Sequence, residues 1–203
     1  MPRTLTQAEI ERFRGRLIAV AERLFAENGA SSVSMRQIAA ALGVSPMTPY
    51  RYFKDKDEIL AAARTSSFNR FADALEAAHA GPGDAAARGK AVGRAYLRFA
   101  FDNPAAYRLM FDLTQPTEDD YPGLVQAANR ARATMSAYNR GLMNAGVIAG
   151  DPLVVAYVFW SAIHGLVMLQ LAGKISPKVD VDAVWRELRR ALNVGFRPNR
   201  VDA

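Results

Sequence analysis

The strongest constraint on the fold is that helix start and stop signals divide the sequence along its whole length. Thr6–Glu9 and Ser34–Gln37 both match a capping box, in which two side chains satisfy backbone donors at a helix start. Asn28-Gly29 and Gly81-Pro82-Gly83 are typical of helix ends. No period-two alternation or Asn-Gly hairpin signal occurs between them. The sequence therefore predicts an all-α fold of about nine helices.

Apolar residues at helical spacing between these signals give the approximate bounds of the helices. The predicted helices cover residues 6–28, 34–42, 45–53, 55–79, 84–102, 104–112, 122–146, 151–173 and 181–195.

The composition excludes several classes of site. The chain has 203 residues, half of them apolar, which is enough for a substantial core. It has no cysteine, so a disulfide framework, a thiolate metal site and a cysteine nucleophile are excluded. The net charge of +6 permits a polyanionic partner. The polar N-terminal segment lacks the features of a signal peptide, and we expect a soluble cytoplasmic protein.

One segment, residues 152–173, has no charged residue and as a helix of about 33 Å would be long enough to cross a bilayer. Three polar residues, Ser161, His164 and Gln170, lie within it, and Trp160 is near its middle rather than its edge. These features favour a helix buried in a bundle or a dimer interface over a membrane span.

The segment 34–56 carries the clearest functional motif. Two short predicted helices are joined by a Gly-Val-Ser turn, as in a helix-turn-helix, whose second helix enters the major groove of DNA. We expect Gly43 to allow the turn, while Ile38, Val44 and Phe53 hold the helices in place. The side chains left facing outward are those of Met47, Thr48, Arg51 and Tyr52.

A structural helical corner that binds nothing is the alternative interpretation, and the charge distribution argues against it. Residues 1–56 hold nine basic and five acidic residues, and thus +4 of the total charge. Tyr50, Tyr52, Lys54 and Lys56 also cluster where a phosphate backbone would lie. The segment is therefore predicted to bind DNA.

Over residues 12–60 the chain resembles the TetR family of one-component transcriptional regulators, through LFAENG, SMRQIAAALGVS and TPYRYFKDKDEIL. The resemblance implies a three-helix DNA-binding domain over 6–54 and a ligand-binding and dimerisation bundle over 55–195. It also implies a homodimer on a palindromic operator, repression as the common mode, and release by a small-molecule effector. Where many members have glycine followed by Thr-Leu-Tyr, this chain has Met47-Thr48-Pro49-Tyr50. Pro46 and Pro49 are expected to stiffen the recognition helix from its first turn.

The resemblance assigns provisional roles to individual residues. Base contacts are expected from Ser45, Met47, Thr48 and Arg51, because arginine on guanine is the commonest specific contact. Phosphate contacts are expected from Tyr50, Tyr52 and Lys56, and Arg36 is expected to reach either a phosphate or the edge of the groove. Weaker candidates are Ser34, equally explained as a helix cap, and Lys54.

One helix-turn-helix covers only a half-site, so the last two predicted helices are expected to form a symmetric dimer interface. The resemblance implies a four-helix bundle built from both subunits. The expected interface residues are Phe159, Ile163, Val167, Leu171, Val184, Trp185, Leu188 and Leu192. Trp160–Gly165 also resembles the Trp-x-x-x-His-Gly signature of one TetR C-terminal subgroup.

Aromatic and methionine residues at helical spacing indicate either a filled core or an effector pocket, and the sequence leaves both open. The candidates for a pocket are Phe68, Phe71, Tyr96, Phe99, Tyr107, Met110, Phe111, Met135, Tyr138, Trp160 and His164. A pocket of this composition suits an apolar or aromatic molecule. His164 is interpreted as a buried, hydrogen-bonded histidine or as a polar group of the pocket. A metal site is not expected, since no Cys, Asp or Glu shares its helix face.

Three other functions are weighed against this one. An enzyme is disfavoured because the chain lacks a Gly-rich phosphate loop and a Gly-x-Ser-x-Gly nucleophile elbow, and no cofactor is expected. A small-molecule binding protein with a vestigial helix-turn-helix conflicts with the intact cluster of polar and basic residues around Arg51. A ligand-independent regulator remains open, as does the choice between repressor and activator.

Overall fold

The computed structural model describes residues 6–111 and 118–198, and over these ranges the chain forms eight α-helices and no strand. The helices are α1 (Gln7–Asn28), α2 (Met35–Leu42), α3 (Lys56–His79), α4 (Ala85–Asp102), α5 (Pro104–Phe111), α6 (Pro122–Asn144), α7 (Pro152–Leu171) and α8 (Val181–Gly195). Short 3₁₀ turns occur at Ala30–Ser32, Pro49–Arg51 and Glu118–Asp120. The predicted all-α class is confirmed.

Both predicted capping boxes form. The Thr6 hydroxyl accepts the Glu9 amide at 3.3 Å, and the Glu9 carboxylate accepts the Thr6 amide at 2.9 Å. Ser34 and Gln37 make the same reciprocal pair at 3.3 and 2.8 Å. Gly43 ends α2 in the left-handed conformation, with φ of +70°. These local signals set where α1 and α2 begin and where α2 turns.

The predicted third short helix over residues 45–53 does not form as an α-helix, and this prediction was wrong. Pro49 has no N–H to donate to the Ser45 carbonyl, and its ring would crowd that carbonyl in an α-helix. The segment instead makes tighter bonds, from Thr48 N to Ser45 O at 2.9 Å and from Arg51 N to Thr48 O at 3.1 Å. The described residues therefore contain eight α-helices rather than nine.

The chain divides into two compact units. The N-terminal unit comprises Met1–Arg70 and Ala105–Ala128, and the C-terminal unit comprises Phe71–Pro104 and Asn129–Ala203. This division differs from the sequence prediction of domains over 6–54 and 55–195. The first part of α3 belongs with the helix-turn-helix because its apolar face completes the core of that unit.

The N-terminal unit has one apolar core. It contains Leu17, Ala21, Phe25, Val33, Met35, Ile38, Phe53, Ile59, Leu60, Ala63 and Leu109. A buried arginine, Arg64, explains why α5 joins this unit. Its guanidinium donates to the Met110 carbonyl at 3.3 Å and pairs with Glu118 at 3.2 Å. Because a buried charge is stable only when paired, these contacts tie α3 to α5 and to the turn beyond it.

The C-terminal unit is built from α4, α7, α8, most of α6 and the end of α3. The Phe71 ring of α3 meets the rings of Tyr96 and Phe99 at 5.0 and 5.1 Å between centroids. A second cluster joins α6 to α7 through Tyr138, Leu142, Ile148, Val155 and Phe159. Aromatic rings thus contribute to both of these clusters.

Helix α7 is long and apolar enough to cross a membrane by length and composition. In the structure one face of it packs inside the C-terminal unit, through Val155, Ala156, Phe159, Ile163, Leu166 and Val167. The N-terminus of the helix is capped by Asp151, whose carboxylate accepts the amides of Leu153 and Val154 at 2.9 Å. One face of α7 is thus buried within the chain, and the opposite face is exposed.

Candidate functional site

The first candidate site is the reading segment, Ser45–Phe53, which follows the turn after α2. Pro49 and Phe53 are buried and attach the segment to the core of the N-terminal unit. Met47 and Tyr50 are 68% and 48% exposed, and Arg51 is exposed as well. The segment therefore presents an apolar, a phenolic and a cationic side chain to the solvent.

Two residues of α1 hold the C-terminal end of the reading segment. The Phe13 ring packs on the Tyr52 ring with 4.5 Å between centroids. Arg14 donates from Nη1 to the Tyr52 carbonyl, and its guanidinium carbon lies 4.1 Å from the centre of the Phe53 ring. Sequence reasoning counted Arg14 only as a positive charge. No local signal relates it to residues 38 and 39 positions away.

Three predicted DNA-contacting hydroxyls are already engaged. The Ser45 and Thr48 hydroxyls lie 2.9 Å apart and share a hydrogen bond across the turn. The Ser34 hydroxyl donates to Gln37 Oε1 at 2.8 Å as part of the cap of α2. Each oxygen retains acceptor capacity, but the Ser34 and Ser45–Thr48 contacts first stabilise the local backbone.

The basic side chains around the reading segment fall into two groups. Lys56 donates from Nζ to the Ala30 carbonyl at 2.8 Å and lies 3.5 Å from the Ser31 carbonyl, so it links α3 to the turn before α2. An ammonium has three donors, which leaves one for a phosphate. Lys54, Arg36 and Arg51 are exposed, and within residues 6–111 and 118–198 their charged groups make no hydrogen bond or ion pair.

The second candidate site is a small, partly open cavity of the C-terminal unit, lined by α4, α6, α7 and α8, with a volume of about 40 Å³. It is lined by Gly89, Val92, Gly93, Tyr96, Met135, Tyr138, Asn139, Ala156, Phe159, Trp160, Ile163 and Trp185. None of these residues carries a formal charge. We call it the four-helix cavity.

Two glycines of α4 let aromatic rings lie directly on the helix backbone. A Cβ at Gly89 would come within 1.6 Å of Tyr138 Cε2, and a Cβ at Gly93 within 2.8 Å of Trp185 Nε1. Real contacts are never so short, so both rings occupy space that any other residue would need. Gly89 and Gly93 lie one helical turn apart and thus form two adjacent slots on one face of α4.

The few polar groups of the four-helix cavity differ in how they are satisfied. Trp160 Nε1 donates to the Tyr96 hydroxyl at 3.2 Å. Asn139 is only 1% exposed, and its Oδ1 has no hydrogen-bond donor among the described residues. Burial raises the pKa of the Tyr138 hydroxyl, and the nearby Arg189 offsets part of that rise. The Asn139 carboxamide is the one lining group with an unsatisfied buried oxygen in the part of the chain described.

His164 is half-buried and lies against Trp160, with 6.2 Å between ring centroids. Burial lowers its pKa, because desolvation disfavours the charged imidazolium. Over the ranges that the structure describes, no group of three or more His, Cys, Asp or Glu side chains is placed to hold a metal ion. His164 does not line the four-helix cavity.

Comparison with known proteins agrees with both parts of the fold. Residues 17–63 match the family model described as bacterial regulatory proteins, tetR family. Residues 89–192, just over half of the chain, match the tetracyclin repressor-like C-terminal domain. The chain belongs to the TetR family. It is accordingly a DNA-binding transcriptional regulator and not an enzyme.

Individual relatives of this TetR-family chain span most of its length. An HTH-type transcriptional regulator of Mycobacterium tuberculosis is 26% identical over 83% of this chain and 74% of its own length. A protein of unknown function from Rhodococcus sp. RHA1 has a TM-score of 0.80 at 27% identity, covering 98% of this chain and all of its own. A TetR family regulator from Marinobacter aquaeolei has a TM-score of 0.74 at 21% identity, with 93% and 97% covered, and shows the fold alone.

The structure divides the predicted effector residues of this TetR-family protein into three groups. Those that line the four-helix cavity are Tyr96, Met135, Tyr138 and Trp160. Phe71 and Phe99 pack with Tyr96 in the core of the same unit. Phe68, Tyr107, Met110 and Phe111 belong to the N-terminal unit, where Phe111 contacts the rings of Phe68 and Tyr107. The cavity-lining residues Gly89, Val92, Gly93, Asn139 and Ala156 were not predicted.

The predicted interface residues lie mostly on the inward face of their helices. Phe159, Ile163 and Val167 of α7 and Trp185 of α8 are at most 7% exposed within a single chain. A side chain buried in its own chain has little area left to bury against a partner, so their placement at an interface needs correction. Leu171, Val184, Leu188 and Leu192 are partly buried. The exposed apolar residues of α7 are instead Leu153, Val154, Tyr157, Met168 and Leu169.

Proposed function

We propose that this TetR-family protein is a cytoplasmic, ligand-responsive repressor. It binds a palindromic operator as a homodimer and is released by a small apolar or aromatic effector. The observation that carries the proposal is the reading segment, which exposes Met47, Tyr50 and Arg51 beside cations that have no partner in the described chain.

The reading segment supplies the base contacts in this proposal. Arg51 is exposed and can make the bidentate contact to guanine that arginine favours in the major groove. Met47 makes an apolar contact with a thymine methyl group. Tyr50, Arg36 and Lys54 contact phosphates, and the remaining Lys56 donor adds one more. Tyr52 and the Ser45–Thr48 pair mainly set the shape of the segment.

Dimerisation is assigned to the outward face of α7 together with α8. The outward face of α7 carries exposed apolar and small residues along its length, from Leu153 through Tyr157 and Ser161 to Met168. Gly165 belongs to the same stretch, and a Cβ there would meet nothing within 4 Å among the described residues. An uncharged helix face with small central residues suits close packing against its symmetry mate.

Effector control is assigned to the four-helix cavity. Helix α3 is uninterrupted from Lys56 to His79, and its residues belong to the N-terminal unit up to Arg70 and to the C-terminal unit beyond it. We propose that an effector favours a conformation whose two reading segments no longer match the half-site spacing. By linkage, the operator then weakens the effector by the same factor, commonly about 5–150-fold.

Binding of DNA duplexes tests the proposal. Duplexes are selected from a random pool by the wild-type protein and compared with unselected duplexes. Arg51→Ala should weaken binding to selected duplexes by about 1–3 kcal/mol and relax preference at one base position. Lys54→Ala should weaken binding to all duplexes and reduce the salt slope by about one. If Arg51→Ala weakened binding to selected and unselected duplexes equally, Arg51 would be a phosphate contact. If the wild-type protein selected no duplex from the pool, the proposed function would be refuted.

A ligand-independent regulator is the second candidate, favoured by the small volume of the four-helix cavity. Its roughly 40 Å³ is well below the ~300–1,000 Å³ of most ligand sites. Calorimetry with apolar ligands, with and without saturating operator, separates the two. Ligand affinity that the operator leaves unchanged would rule out the coupled switch for that ligand.

A further inference from the structure

We infer that Glu22 and Arg70 are positioning residues for DNA recognition. Their ion pair fixes the direction of α1 against α3 and thereby sets the spacing of the two DNA half-sites that the dimer accepts. This inference rests on the homodimer and the palindromic operator proposed above, and it names the side chains on which the half-site spacing depends.

Glu22 of α1 makes a shielded ion pair with Arg70 of α3. Arg70 Nη2 donates to both carboxylate oxygens of Glu22, at 2.6 and 2.8 Å. The hydroxyl of Ser67, which is fully buried, lies 3.3 Å from Glu22 Oε2. The Glu22 side chain is only 17% exposed. Pairs of fully exposed side chains stabilise little, whereas a carboxylate shielded from water keeps more of its attraction for a guanidinium.

The ion pair is the second of two separated contacts between α1 and α3. The backbone of α1 packs more closely on α2 and on the turn Ala30–Ser32 than on α3, so side chains make the contact with α3. The first contact is the apolar core, to which α3 contributes Ile59, Leu60 and Ala63. The ion pair lies one to two helical turns further along α3. One contact leaves a helix able to pivot, and two separated contacts fix its direction.

The direction of α1 also sets the position of the reading segment. Phe13 packs on the Tyr52 ring, and Arg14 holds the Tyr52 carbonyl and covers the Phe53 ring. A pivot of α1 about the apolar core would therefore carry the reading segment with it. Helix α3 continues uninterrupted beyond Arg70 into the C-terminal unit, to which dimerisation is assigned. The angle between α1 and α3 thus affects the distance between the two reading segments of the dimer.

The test uses duplexes that carry two selected half-sites separated by different numbers of base pairs, and a duplex that carries one half-site. The full-length wild-type protein should favour one spacing, because two half-sites must present themselves to one dimer. Glu22→Gln keeps the shape of the side chain and removes its charge. It should reduce that preference by about three- to tenfold, the range for one net hydrogen bond, and leave the affinity for the single half-site unchanged.

Three further variants accompany Glu22→Gln. Glu27→Gln is the matched control, because Glu27 is an exposed residue of α1 with no hydrogen bond or ion pair among the described residues, and it should keep the wild-type preference. Glu22→Arg combined with Arg70→Glu reverses the ion pair and should recover part of the preference. Ser67→Ala keeps both charges and should reduce the preference less than Glu22→Gln does. It decides the matter if Glu22→Gln does not fold.

Two results would overturn the inference without touching the proposed function. One is a wild-type spacing preference that neither Glu22→Gln nor Ser67→Ala reduces. The other is an equal loss of affinity at every spacing and on the single half-site, because the ion pair would then have a structural role only. A wild-type protein that shows no spacing preference at all would refute the proposed dimeric operator together with this inference.

Discussion

At the scale of single residues, Arg14 shows how a surface cation can determine the shape of a binding site that it need not touch. Its guanidinium holds a backbone carbonyl of the reading segment and covers the Phe53 ring. Lysine cannot replace it, because an ammonium lacks the planar fork that makes both contacts together.

Arg14→Lys should therefore lower duplex affinity although the charge is kept. It should also lower the free energy of unfolding by about 1–3 kcal/mol, from the loss of a charged hydrogen bond and a cation–π contact. Duplex titration and denaturant unfolding measure the two effects. Arg16→Lys, at an exposed position of the same helix, is the control and should change neither. If Arg14→Lys left the affinity for selected duplexes unchanged, the contacts of Arg14 with Tyr52 and Phe53 would have no part in DNA recognition.

Residue-scale roles were only partly predictable from the sequence. The capping roles of Thr6 and Ser34 follow from spacing of three residues, and both were correctly predicted. The contacts of Lys56 with the Ala30 and Ser31 carbonyls join residues 25 and 26 positions apart. Only the folded chain brings such distant residues together. The sequence therefore predicted a phosphate contact for Lys56 and could not predict its bonds to these carbonyls.

At the scale of elements, the absence of side chains at Gly89 and Gly93 lets two aromatic rings pack against the backbone of α4. Gly89→Ala would place a methyl group inside the Tyr138 ring, and the structure must shift to accommodate it. We expect this variant to lose about 1–3 kcal/mol of unfolding free energy, as overpacked cores do.

Gly15→Ala is the control for Gly89→Ala, because it makes the same substitution at a helix position with room for the methyl group. Gly15 lies inside α1, and nothing within 4 Å would meet its Cβ, so alanine should stabilise the protein by about 0.5–1 kcal/mol through helix propensity alone. Thermal and urea unfolding measure both variants. If the two substitutions changed the free energy of unfolding equally, the packing of the Tyr138 ring would not depend on the space left at Gly89.

Helix bounds were predicted to within about two residues for the eight helices that form, because caps and prolines mark their ends. The reading segment was the exception. Its composition fits a short helix, but Pro49 removes the one amide needed for an α-turn back to Ser45. The loss of that single bond matters in so short an element, whereas a longer helix would tolerate it by bending.

At the scale of the whole molecule, the proposed dimer depends on which face of α7 is exposed. Apolar residues occur on every side of α7, so the sequence could not identify which face turns inward. Packing against α4 and α8 buries one face, and the opposite face remains exposed with Tyr157 and Met168. The sequence thus predicted the helix but not which of its faces is buried within the chain.

Met168→Glu should therefore convert the proposed dimer to a monomer near 22 kDa at micromolar concentration, since it places a charge within the proposed apolar contact. Light scattering measures the mass, and selected-duplex binding should fall with it. Val147→Glu, at an equally exposed apolar residue (39% for both) outside α7, is the control and should remain dimeric. A dimer that persists in Met168→Glu would place the interface elsewhere.

The anchoring of the reading segment also has a consequence for the heat of DNA binding. Segments that fold only on their target add a large negative heat-capacity change to the association, because they bury their own surface at that moment. Here Pro49 and Phe53 are buried beforehand, and Tyr52 is held by Phe13 and Arg14. The heat-capacity change on meeting an operator should therefore reflect mainly the contact surface with DNA, and the enthalpy of binding should vary less with temperature than for a segment that folds on its target.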